Sequence, residues 1–433
     1  MGWMSILAAS FDCMATWNTF PSTLLISFVY GGPAATAWGI VVVGLIYIPI
    51  AITLCELVSA YPSVGGGGLY HWAGILAPAK YRRSYACGSL SWFSWVALTA
   101  SGAGALGNFA QALIAWYDAA YVCSNFFSFL VNAYARSALS KIYKARFVFS
   151  LFACTTIFIT ILVGQKEKQT SSFVWTTLAN NTGWPDGVAF LITLSGPTVM
   201  YCPIDGIVHL VEDTKGPRVT VPRAILMALA LSFVSATAFG IATTYCISDF
   251  QTALDSRTGT LTTTQIVSRM TWSFANDHAL PFSHYLSGVS EKRKVPLRAL
   301  CFNAVLIFAI GCLYLISSTA FIAILNISVV FQQITLAFPS ALLLYQRRNP
   351  QYLPRDAPFR VPNTLGWFCN IVAVVYAVIA LVFFQFPWSD TVQFSTTMNF
   401  TVIVFGSFLV ASTNSWFVFA RKRYTPPALV FAD

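Results

Sequence analysis

Three acidic side chains stand where acids are costly: Asp12, Glu56 and Asp205 each lie within, or at the end of, a long apolar run. A charge at membrane depth costs roughly 2.5–3.5 kcal/mol on insertion scales, so such groups face a protein interior. Asp205, followed by His209 and Glu212, suits proton exchange or contact with a cationic group; a hydrogen bond tying helices together is the plainer alternative. Glu56 closes its run just before Tyr61-Pro62 and reads as a structural cap or a gate. Asp12 shortly precedes a polar patch, where a site role and a core hydrogen bond serve equally well.

That patch is one of two interruptions. Ala15-Thr16-Trp17-Asn18-Thr19-Phe20-Pro21 sets polar groups and a proline inside one apolar run. Ser195-Gly196-Pro197-Thr198-Val199-Met200-Tyr201-Cys202-Pro203-Ile204-Asp205-Gly206 sets two prolines and two glycines inside another. Proline removes a backbone donor and clashes with the preceding turn. In hydrocarbon, the freed groups must be satisfied by protein or by a water-filled cavity. One interrupted span in each half of a chain is the arrangement in which half-helix ends offer amides to an anion and carbonyls to a cation. An ordinary proline kink explains either break alone better than it explains the matched pair.

The elements that carry these residues follow from composition. The chain has 433 residues, 57% apolar and only 9% charged. A soluble domain has about 25% charged residues, so a water-soluble enzyme, a nucleic-acid binder and a disordered scaffold are excluded. Apolar runs fall at about 4–29, 34–55, 86–116, 117–134, 147–164, 186–210, 223–247, 299–317, 319–345, 366–387 and 399–420. Most are long enough for a crossing of about 20 residues. The chain is expected to be an all-α polytopic membrane protein.

Charge sets the topology. Alternate connections hold 22 of the 25 basic residues, among them Lys80, Arg82, Arg83, Lys215, Arg218, Lys292, Arg293, Lys294, Arg347 and Arg348; the others hold only Lys166, Lys168 and Arg257. The positive-inside rule puts the first set in the cytoplasm, with both termini. The net charge of +10 is therefore a topology signal and implies no nucleic acid. The count leaves a contradiction: the runs at 223–247 and 299–317 both start inside, so a crossing is required between 249 and 298. No run of about 18 apolar residues exists there; the stretch from Ile266 to Phe274 is short and carries Arg269. Twelve spans are implied, one of them reduced or missing.

Other signals are weaker. Gly65 to Gly68 lack the spacing and lysine of a phosphate loop and suit close backbone approach or a mobile gate loop. The small residues Ala100 to Gly104 and Gly107 allow tight helix contact. The ten cysteines show no metal or CxxC spacing. Asn180-Asn181-Thr182 is a sequon on the outer side, so Asn180 is a candidate glycan acceptor. The opening residues carry no basic region for a cleavable signal.

Several motifs together carry a family resemblance: Gly31-Gly32-Pro33-Ala34, Glu56-Leu57-Val58-Ser59-Ala60-Tyr61-Pro62, Tyr70-His71-Trp72, Asp205 with His209 and Glu212, Val221-Pro222-Arg223, Ser268 to Ala275, Leu280 to Ser283, and Ser317 to Phe321. The chain resembles fungal amino-acid and choline permeases of the amino acid–polyamine–organocation superfamily over nearly its whole length. The resemblance implies a five-plus-five inverted repeat, with a first repeat at about 4–164 and a second at about 186–345, incomplete near 250–298. Extra spans at about 366–420 follow. It also implies uptake at the plasma membrane, and no cofactor is expected; the chain departs from the family pattern in a shortened span four and a truncated span eight. Its substrate would be a small molecule: an amino acid, gamma-aminobutyrate, choline or a polyamine. Carried over by residue, the substrate site comprises Thr16, Trp17, Asn18, Ser195, Gly196, Thr198, Tyr201 and Asp205, with Asp205, Glu56 and Asp12 in coupling or gating.

Secondary, proton-coupled transport is the leading expectation, with Trp17 and Tyr201 as part of an aromatic cage if the substrate is quaternary. A transport-defective paralogue that at most binds its ligand is the alternative, because span eight is incomplete. No HExxH, GxSxG or paired-aspartate motif suggests an enzyme, and no ring of charges suggests a channel.

Overall fold

A computed structural model of the chain describes residues 1–62, 67–78, 84–114, 117–134, 136–247, 264–289, 296–316, 318–391 and 398–424. Gly65, Gly66, Lys80, Arg82, Arg83, Trp116, Arg257, Lys292, Arg293, Lys294 and Ser317 lie outside the described residues. So does the stretch 248–263, part of the region 249–298 in which the charge count demands a crossing.

Apolar backbone in lipid must satisfy its own polar groups, which helices do; among the described residues there are helices and no strand. Helix α1 is Trp3–Met14 and α2 is Thr16–Ala60, bent at Gly32, whose φ of 78° marks the turn between the first two apolar runs. A Cβ on Gly32 would come within 2.4 Å of the Ala179 amide nitrogen, so backbone approach excludes any larger residue there. The helices α3 (Leu69–Leu76), α4 (Ser84–Ile114), α5 (Tyr117–Tyr134) and α6 (Arg136–Gly164) follow. The short α7 is Ser171–Thr176, α8 is Asp186–Thr193 and α9 is Ser195–Tyr201, continued by a 3-10 segment, Cys202–Asp213. Helix α10 spans Pro217–Cys246, α11 Thr264–Asn276, α12 Leu297–Ile316, α13 Ser318–Tyr345, α14 Asn363–Phe383 and α15 Thr401–Ser415. Seven helical stretches of the described residues are long and apolar enough to cross a membrane.

The connections gather at two ends, as the charge alternation requires. At one end the Met1 carbonyl accepts from the Lys215 amide, Arg218 Nε donates to the Ser59 carbonyl, and Tyr61 Oη donates to the Tyr352 carbonyl. At the other, the Gln169 amide donates to the Tyr245 carbonyl, the Ala34 amide to Thr177, and the Asp390 amide to Thr182. Helix α10 thus leaves the first end and finishes at the second. Helix α11 ends back at the first, where Asp277 meets Tyr70. The 13 residues of α11 span only about 20 Å at 1.5 Å per residue, short of a hydrocarbon core of about 30 Å.

The core is built on α2, which packs against α10, α9 and α14, while α4 and α14 flank α13. The interrupted elements therefore lie inside the bundle: the residues from Cys202 to Val211 are all buried.

Candidate functional site

The first interruption is sharper than its sequence implies. Helix α1 stops at Ala15, which takes left-handed angles (φ 46°, ψ 33°), and Thr16 already begins the next helix. Pro21 thus lies inside α2. A left-handed non-glycine residue costs roughly 1–2 kcal/mol. Because the first i to i−4 bond of α2 runs from Thr19 to Ala15, the amides of Thr16, Trp17 and Asn18 have no partner within the helix, as at any helix start.

The second interruption lies at Pro203, where ψ is 19° and the α-helix gives way to 3-10 geometry. Proline supplies no amide there. The two breaks touch: Cys13 Sγ donates to the Pro203 carbonyl at 3.3 Å. Elements distant in sequence thus meet where both have lost regular backbone bonding.

The candidate binding residues divide between this junction and the surrounding packing. Thr16 Oγ1 donates to the Ser232 carbonyl on α10, and Trp17 Nε1 to Ser150 Oγ on α6. Gly196 lies against α2, where a Cβ would come within 2.7 Å of Ser27 Oγ. Thr198 Oγ1 bonds Tyr376 Oη and the Leu194 carbonyl, fastening α9 to α14. Tyr201 packs on Tyr47, ring centres 5.5 Å apart, while Trp17 meets Phe239 edge to face. Among the ring contacts of the described residues, none joins Trp17 to Tyr201. Three atoms of the predicted set, Asn18 Oδ1, Ser195 Oγ and Tyr201 Oη, are buried with no hydrogen-bond partner. A buried polar group left unpaired costs about 1–3 kcal/mol, so these are the groups a polar ligand would satisfy.

Asp205 is fully buried and occupied by the protein itself. Its Oδ1 accepts from Gln332 Nε2 at 2.6 Å, and its Oδ2 accepts from Trp95 Nε1 at 3.3 Å. His209 Nε2 stands 3.4 Å from Oδ2, one helical turn on. Gln332 Oε1 accepts in turn from Ser94 Oγ at 2.7 Å. The network joins the 3-10 segment to α4 and α13, so the helix-tying reading has a geometric basis, and the imidazole keeps proton exchange open.

Asp12 stands 3.7 Å from Arg146 Nε on α6. Glu56 is paired with Arg348, whose Nη2 donates to both carboxylate oxygens at 2.8 and 2.7 Å while Nε donates to Asn363 Oδ1. This pair clamps the end of α2 to the chain between α13 and α14, away from the breaks. Asn180 Nδ2 donates to the Trp184 carbonyl and to Asp186 Oδ1, and Asn180 Oδ1 accepts from Thr182, so the sequon is folded into a turn.

Sequence reasoning missed Arg348, Gln332, Trp95, His71 and Asp277. Arg348 was hidden among the basic residues that mark an inside loop, and the pair Gln332-Gln333 inside an apolar run was a legible signal. Among the described residues, no group of three or more His, Cys, Asp or Glu side chains could hold a metal ion.

Comparison with known proteins agrees with this architecture. The family model described as amino acid permease matches residues 1–264 and 258–408. The choline transporter of Saccharomyces cerevisiae is 30% identical over 468 aligned positions, covering 97% of this chain and 81% of that protein. A swainsonine transporter of Arthroderma benhamiae is 28% identical, covering 91% and 85%. Amino-acid permease 2 of Neurospora crassa is 25% identical, covering 95% and 83%. The crystal structure of a mutant manganese transporter from Eremococcus coleocola is similar in fold, with a TM-score of 0.54 at 14% identity, over 96% of this chain and 92% of that one. These matches support a multi-pass membrane protein of transport, and the chain belongs to the amino acid permease family.

Proposed function

We propose that the chain is a secondary active carrier for a small amino acid or related nitrogen compound such as gamma-aminobutyrate, choline or a polyamine, driven by protons. The observation that carries this reading is the junction of Ala15 and Pro203, linked by the Cys13 bond. A substrate carboxylate suits the unpaired first-turn amides of Thr16, Trp17 and Asn18; Asn18, Ser195 and Tyr201 supply polar groups without internal partners. Asp205 then serves in coupling, with its imidazole neighbour, while Thr198 and Gly196 position α9. Asp12 with Arg146, and Glu56 with Arg348, close contacts that rocking of the helices would open and shut.

In this reading the fold is a five-plus-five inverted repeat, about 4–164 and 186–345, followed by two further spans. It lies in the plasma membrane with both termini in the cytoplasm, and Asn180 faces outside as a glycan acceptor. The test is uptake of radiolabelled choline, gamma-aminobutyrate and spermidine into proteoliposomes, with and without an acid-outside gradient. Gradient-driven accumulation of one of them is expected. Binding without accumulation of any would overturn the reading.

A second reading has its own support. The crossing back through α11 is short, the family match is split near residues 258–264, and the alignment with the yeast choline transporter is longer than this chain. These observations favour a chain that lacks part of span eight, and hence a transport-defective binder. Ligand-dependent thermal stabilisation without uptake is its signature.

A further inference from the structure

The turn that follows α11 shapes a groove on the outside of the bundle. Phe282 takes left-handed angles (φ 61°, ψ 24°) and caps one turn of helix, Ser283–Leu286. Such angles are strained for any residue with a Cβ, and here they hold the ring out, 78% exposed. Trp272 Nε1 donates to the Ser287 carbonyl at 2.9 Å, which fixes the turn to α11, and the turn packs on the start of α12. Between them lies an open groove of about 420 Å³, walled by Phe282, Tyr285, Leu297, Phe302 and Val305; of its lining residues Arg298 alone is charged. From Leu297 to Val305 a helix rises about 12 Å, close to one leaflet's share of a hydrocarbon core of about 30 Å.

Arg298 is held in place without being neutralised. Its guanidinium lies 4.6 Å over the centre of the Tyr285 ring, and Nη1 donates to the Tyr285 carbonyl at 3.4 Å. A Cβ on Gly288 would lie 3.0 Å from Nη1, so glycine leaves the guanidinium its room. Among the described residues no carboxylate pairs with it. The planar fork suits a phosphate, which it can meet with two parallel hydrogen bonds. The sequence just before α12 adds Lys292, Arg293 and Lys294, and basic residues beside a membrane surface attract lipids of net negative charge.

We propose that the groove binds an anionic phospholipid from the leaflet at the end of the basic connections. The lipid phosphate meets Arg298, and one acyl chain runs along Tyr285, Phe302 and Val305. An apolar trough one leaflet deep with an oriented cation matches an amphiphile of that shape and charge. It also gives the exposed Phe282 ring an apolar partner. The bound lipid would fasten the turn after α11 to α12, where the return crossing is shortest of regular structure. The site is separate from the two helix breaks and stands whether or not the chain transports.

The test adds dioleoyl phosphatidylserine, dioleoyl phosphatidylcholine or water-soluble glycerophosphoserine to the purified chain in detergent micelles. Binding is read by native mass spectrometry and by the thermal midpoint, for the native chain, Arg298→Gln and Val305→Trp. Both positions are exposed, Val305 by 66%, so each variant should keep the core intact. Phosphatidylserine should bind the native chain more tightly than phosphatidylcholine and raise its midpoint, and glycerophosphoserine should do neither. Arg298→Gln should lose about fivefold in phosphatidylserine affinity, with phosphatidylcholine little changed. Val305→Trp, which fills the groove, should weaken both lipids. Equal affinity for the two lipids in the native chain, or an unchanged phosphatidylserine affinity in either variant, overturns the proposal. Glycerophosphoserine binding as tightly as the lipid overturns it in favour of a site for a free phosphate ester.

Discussion

Glu56 and Asp205 are both carboxylates buried in the same bundle, and they meet opposite kinds of partner. Glu56 faces a guanidinium that carries its charge permanently and grips both oxygens. Asp205 faces an amide, an indole and an imidazole, of which only the imidazole can change its charge. A fixed ion pair cannot alter its proton count without leaving a buried charge alone, so the first region can clamp or gate but cannot carry a proton. The second has one neighbour whose charge can change, which is what the proposed coupling role requires. Burial of an acid does not by itself distinguish the two; the partner does.

The largest expected effect breaks the fixed pair. Arg348→Met leaves Glu56 buried without its cation and should lower unfolding stability by about 3–5 kcal/mol, read as a drop in the thermal midpoint of the purified protein. Adding Glu56→Gln to that variant should restore most of the loss, because the uncompensated charge is then gone. A small loss in the single variant would mean that the Val361 amide, 3.4 Å from Glu56 Oε1, suffices as a partner.

Asp205→Asn should reverse the balance between stability and transport. Its fold should lose only about 1–3 kcal/mol, since an amide still offers an oxygen to Gln332 or Trp95. Proton-driven accumulation should fail while exchange continues. A variant as unstable as Arg348→Met would show Asp205 to be another structural clamp.

Gly366→Ala sharpens the comparison without touching a charge. A Cβ there would come 2.2 Å from the Arg348 guanidinium, which must move and loosen its grip on Glu56. A cost of about 1–3 kcal/mol is expected from such overpacking, and it should nearly vanish in the Arg348→Met background.

The smallest effect belongs to an exposed pair outside the membrane spans, Arg218 and Asp356, 2.9 Å apart. The guanidinium hydrogen bond holds the Asp356 carboxyl below its ordinary value of 3.8. A depressed carboxylate contributes stability that is present above the unfolded value and lost as pH falls through the folded one. Asp356→Asn should therefore change the thermal midpoint at pH 7 very little. What difference there is should fade as the pH drops below the ordinary carboxylate range.

Much of this was legible before any coordinates. The apolar runs of α6, α10 and α14 are local patterns, and their helices follow from the need to satisfy backbone groups in lipid. The two interruptions were visible as proline, glycine and polar residues, although the first turns at Ala15 and not at Pro21. The charge alternation required a return crossing before residue 299; α11 ends beside Asp277, which meets Tyr70, but α11 is too short to cross by itself. What stayed hidden were pairings between distant positions: His71 with Asp277, Gln332 with Asp205, Arg348 with Glu56. In sequence, Arg348 resembles every other basic residue of an inside loop.

The amino-acid sequence by itself determined that this chain is a helical membrane protein, how its connections alternate, and where two helices break. Those properties depend on apolarity, charge and backbone chemistry within short stretches. Only the tertiary structure decided that the breaks meet through Cys13 and Pro203, and that one buried acid received a permanent cation and the other an imidazole. Those outcomes depend on which helix faces pack together, and packing is a relation between residues that the chain keeps far apart.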